Sequence, residues 1–188
     1  MTQMEKVESD LSYVRSIVDR SDCKGSPPAI YFLWAAITLV GFSLYDLKPE
    51  LVSTFWPIAG PAGGILSFLL GWQFSRRQGQ TSLKIGKYHA LHWSAMMVAI
   101  FSLIPLHVTG LMEGEGLARA ILVVLALGYF IAGIYLVRNF LWIGIVMMAG
   151  YGLTFLFDAY TWTLVALLIA VSLTWAGIRE LTRGGSAD

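Results

Sequence analysis

Charge is scarce in this chain. Only 13% of its 188 residues are Asp, Glu, Lys or Arg, against about 25% in a soluble domain. Half of the usual solvating surface is missing, which excludes a water-soluble globule. Cysteine is nearly absent. Cys23 stands alone, so neither an intrachain disulfide nor a thiolate metal cage forms. The basic residues never gather into a patch for nucleic acid; they fall in short groups at the ends of apolar runs. Motifs of hydrolytic chemistry are missing as well. There is no GxSxG, no HExxH and no pair of aspartates at membrane depth. No carboxylate or lysine sits in the middle of an apolar run, where a proton- or cation-coupled pump carries one. The expectation is a protein that is not an enzyme. No signal peptide is expected either. The first apolar run starts near Ala29, behind a polar segment holding nine charged residues.

What is present is hydrocarbon. Hydrophobic residues make up 56% of the chain. They gather into six runs, at about 29–45, 57–74, 89–111, 117–137, 140–157 and 161–178. About 20 helical residues, at 1.5 Å each, cross about 30 Å of lipid hydrocarbon. Barrel strands would alternate polar and apolar residues; runs such as 120–137 do not alternate. The predicted fold class is an all-α membrane protein, a bundle of six transmembrane helices over 27–180. A cytoplasmic segment, 1–26, precedes it and a short tail, 181–188, follows.

Lys and Arg set the orientation. Four precede the first run, four lie between the second and third (Arg76, Arg77, Lys84, Lys87), and Arg138 lies between the fourth and fifth. Arg179 and Arg183 follow the sixth, and only Lys48 and Arg119 fall on the other side. The positive-inside rule then puts both termini in the cytoplasm of a cell (inner or plasma) membrane.

Residues 2–20 predict a helix with one apolar edge. Met4, Val7, Leu11, Val14 and Val18 recur at spacings of three and four. Residues 1–24 hold five acidic and four basic side chains. A helix lying on anionic lipid favours Lys and Arg, so this edge is assigned to packing on protein, its own bundle or a partner.

The second run is the unusual one. Pro57, Gly60, Pro61, Gly63, Gly64, Ser67 and Gly71 crowd it with prolines and small residues. Two readings follow. One is a discontinuous helix lining a pore. The other starts the helix at Pro57, with Pro61 in its first turn, and lays the glycine face on a neighbour. All three histidines fall in the third run. His89 and His92 share a face, while His107 lies fifteen residues further on, about 22 Å along a helix. The histidines are the metal or haem candidates; haem b would need a second ligand such as Met147 or Met148, or a histidine from a second subunit. The Met96–Met97 and Met147–Met148 pairs would suit copper(I), although packing is the ordinary role of Met. No cofactor is expected.

The leading expectation is a non-enzymatic membrane subunit, accessory, scaffolding or self-assembling, with lipid and a homo-oligomer or membrane partner around it. The alternative is a small oligomeric permease or channel with its path near the second and third helices. A haem- or copper-bearing redox subunit is the third.

Overall fold

The computed structural model describes residues 27–77 and 83–184. Six α-helices account for most of them: α1, Pro28–Leu47; α2, Val52–Arg77; α3, Leu83–Val108; α4, Gly114–Tyr135; α5, Asn139–Leu153; and α6, Thr161–Gly184. No strand occurs among the described residues. Five of the helices are long and apolar enough to cross a membrane; α5 is apolar but shorter, at 15 residues. That is about 22 Å of helix.

Helix ends follow local chemistry. Proline in the first turn of α1 presets the helical φ and lacks only a donor that would be idle there. Lys48 stops the helix because Pro49 follows it, and the residue before proline is driven out of the helical region; its φ and ψ are −152° and 70°. A short 3-10 turn, Pro49–Leu51, then leads into α2. At the end of α3, Gly110 takes the left-handed conformation, φ 75°, which only glycine adopts freely as a helix stop.

The second helix differs from both sequence readings. It begins at Val52 and runs unbroken through Pro57 and Pro61 to Arg77. The prolines neither start it nor divide it. They remove two donors, so the carbonyls of Ser53 and Pro57 lose their usual partners. Other boundaries shift by a few residues. The third helix stops at Val108, the fourth runs Gly114–Tyr135, and the fifth stops at Leu153. The sixth continues to Gly184, beyond the expected 178 and into the assigned tail.

The helices stand antiparallel in a row, ordered α2–α1–α6–α5–α4–α3. Among the described residues, backbones approach closely only between neighbours in that order, while the rings of Tyr31 and Trp93 reach past a neighbour to Phe140 of α5. The first and last helices of the chain, α1 and α6, make the most extensive contact. The buried core comes from the inner four. Tyr31, Ala35 and Phe42 of α1 meet Val165, Ala166, Ile169 and Leu173 of α6; Phe140, Ile143 and Met147 of α5 and Leu122 and Tyr129 of α4 complete it. Neither α2 nor α3 adds a residue to this cluster. They are wings on the inner four, packed against the core through Trp56 of α2 and Trp93 of α3.

Candidate functional site

The wing α2 carries the glycine series, and the structure splits it in two. Gly63 and Ser67 face α1. A Cβ at Gly63 would stand 2.7 Å from Ile37 and 3.2 Å from Trp34. The Trp34 indole N–H donates to the Ser67 hydroxyl at 2.9 Å. Gly60, Gly64 and Gly71 lie on the flank of that face, Gly64 exposed and the other two half-buried, with nothing within 4 Å of a Cβ at any of them. Pro57 and Pro61 are exposed on the same helix. On the other side of the α1–α2 seam, an apolar groove of about 420 Å³ is lined by Val40, Leu44, Leu51, Thr54, Phe55, Ile58 and Ala59. A second, of about 480 Å³, lies between α4 and α5 over Phe130, Gly144 and Met148. Neither gathers polar groups that would orient a polar substrate.

The wing α3 carries the histidines. His92 Nδ1 is hydrogen-bonded to the Tyr135 hydroxyl. Its Nε2 is shut away from solvent, beside the Gly128 backbone. Beside it, Trp93 packs edge-on against Tyr129 and Phe140, with ring centroids 5.1 and 5.7 Å apart. His89 is half-buried one turn earlier. His107 lies at the opposite end of α3, its Nδ1 2.9 Å from the Met112 carbonyl oxygen. Among the described residues, no group of three or more His, Cys, Asp or Glu is placed to hold a metal ion. Met96 seats against Gly128, Met147 is buried in the core, and Met148 opens on the α4–α5 groove. The edge of Met4, Val7, Leu11, Val14 and Val18 lies outside the described residues.

Three polar contacts escape sequence reasoning. Asn139, the first residue of α5, donates its amide to Glu180 of α6 at 2.6 Å, and both are buried. Tyr31 is buried too, its ring 5.7 Å from that of Phe140. At the other end of the bundle, the Asp46 carboxylate accepts from the Thr163 backbone N–H at 2.6 Å and from its hydroxyl at 2.8 Å. Arg119 donates to the Thr154 carbonyl at 3.1 Å and to Glu115 at 2.6 Å. The signal for Glu180 was available: it continues the buried series Leu173, Ala176 and Gly177 at helical spacing. Asp46 and Thr163 are 117 positions apart, and no local pattern joins them.

No known protein family, curated protein or solved structure matches the chain. The class that the fold supports is an all-helical protein whose apolar helices suit a membrane.

Proposed function

We propose that this chain is a non-enzymatic, multi-pass membrane protein that acts through protein contacts, as a self-assembling or accessory subunit. One observation carries the reading. The wing α2 is 26 residues long and, among the described helices, packs on α1 alone, leaving open space beside Gly60, Gly64 and Gly71. In lipid the hydrophobic effect does not drive helices together; close backbone approach at small residues does. The prolines add to this, because a carbonyl without its helical partner is costly in hydrocarbon and weaker lipid packing is exchanged for protein contact. In this reading all six helices cross a cell (inner or plasma) membrane, α5 together with the apolar turn up to residue 157. Both termini are cytoplasmic, by the distribution of Lys and Arg.

Native mass spectrometry of protein extracted gently from its own membrane tests the proposal. The expected result is a complex with a second copy or another polypeptide. Leu at Gly60, Gly64 and Gly71 together should release the bare 20.7 kDa chain with helical content unchanged. A bare wild-type monomer, or a triple variant that assembles like the wild type, overturns it.

A further inference from the structure

We propose that α3 is a hinged gate on the four-helix core, latched at residues 92–96 and bending between Pro105 and Gly110. Three observations lead there. First, the backbone of α3 comes close to α4 alone among the described helices, its ring contact with α5 is made by Trp93, and just 6% of its apolar span is buried, against 50% for α6. Segments with few buried contacts open at the lowest cost. Second, its hydrogen bond to α4, its ring contacts with the core and its one fully buried residue among those described are grouped in little more than one turn. His92 bonds to Tyr135, and Trp93 fills the notch between Tyr129 and Phe140. Met96 is buried against Gly128, where a Cβ would stand 2.5 Å from its sulfur. Further along, no residue of α3 is fully buried: Met97, Ile100 and Leu103 are half-buried, and Val98, Phe101, Ile104 and Leu106 are exposed. Third, the far end of α3 is tethered and bendable. Pro105 lies inside the helix and leaves the Phe101 carbonyl without its donor, a common origin of kinks. Gly110 has positive φ, and His107 holds the turn through the Met112 carbonyl.

The geometry is therefore a lever. From Trp93 to Pro105 the arm is about 18 Å long. A kink of about 20° at proline moves its tip by about 6 Å. Opening withdraws Trp93 from between Tyr129 and Phe140 and uncovers the junction of α4 and α5.

Spin-label distances in lipid nanodiscs test this, in a Cys23→Ser background. One pair reports the latch, Ser94→Cys with Trp142→Cys; both native side chains are exposed. A second pair reports the hinge, Val108→Cys with Leu156→Cys, also exposed. Trp93→Ala should add a component about 6 Å longer at the latch pair and leave the hinge pair unchanged. Tyr135→Phe removes one hydroxyl and keeps the ring, so the fold is preserved; it should give the same component at smaller population. Pro105→Ala restores a backbone donor, and in the Tyr135→Phe protein it should suppress the longer component. Unchanged latch distances in Tyr135→Phe overturn the gate. So does lengthening of both pairs together, which reports detachment of the whole helix.

Discussion

Glycine serves two opposite purposes in this molecule, and the difference shows only in contacts. At Gly133 a Cβ would stand 2.2 Å from the Leu141 backbone nitrogen; at Gly144 it would stand 2.5 Å from that of Phe130 and 2.7 Å from the Ala126 carbonyl oxygen. Backbone cannot move aside as a flexible side chain does, so these glycines let α4 and α5 approach. Gly144→Leu should therefore cost about 3 kcal/mol, the upper end of overpacking penalties. Gly64→Ala meets open space and should stay within about 0.5 kcal/mol of wild type. Thermal unfolding of the two variants in one detergent checks the contrast; equal melting shifts would refute it. The sequence displays the small-residue spacing of 60–71 but not which face is covered. Of that series only Gly63 and Ser67 meet α1, while Gly133 and Gly144 sit unremarked in runs of Leu, Ile and Val.

Elements were the most legible level. Each apolar run became a helix because uncharged residues at helical length have no other way to satisfy their backbone in lipid. Ends were less legible, since they depend on single residues. Lys48 ends α1 through the proline after it, and Glu180 stays inside α6 because Asn139 meets it. Asp46 is the clearest case. It reads as a loop acid, yet it accepts from the backbone of Thr163 near the start of α6. There an amide is otherwise unsatisfied and the helix dipole is positive. It also ties α1 to α6 at the end remote from Tyr31 and Gly177. Asp46→Ala should destabilise the protein by about 1–2 kcal/mol, as lost caps do. Asp46→Asn, which keeps an acceptor oxygen, should recover part of that. Chemical denaturation of both variants decides the matter; an undiminished midpoint in Asp46→Ala would show the bond to be idle.

At the scale of the molecule, short connections explain why α4, α5 and α6 neighbour one another in sequence order. They do not explain the widest seam, which joins the first helix to the last, nor why, among the described residues, α2 and α3 are the one consecutive pair whose backbones do not approach. That arrangement makes orientation testable with few changes, because alternate connections emerge at opposite ends of the row. Cys23 is the sole cysteine and lies a few residues ahead of α1. With both termini cytoplasmic, a membrane-impermeant maleimide should leave Cys23 unlabelled in intact cells and label it in inverted vesicles. In a Cys23→Ser protein, Glu113→Cys, between α3 and α4, should label from outside. Asp158→Cys carries the most information, because it follows α5, the helix of 15 residues. Labelling of Asp158→Cys from outside means that α5 and its apolar turn cross the bilayer. Labelling from inside means that α5 enters and returns on one side. The positive-inside count then fails for every residue beyond Arg138, and α6 ends with its Arg179 on the outer surface.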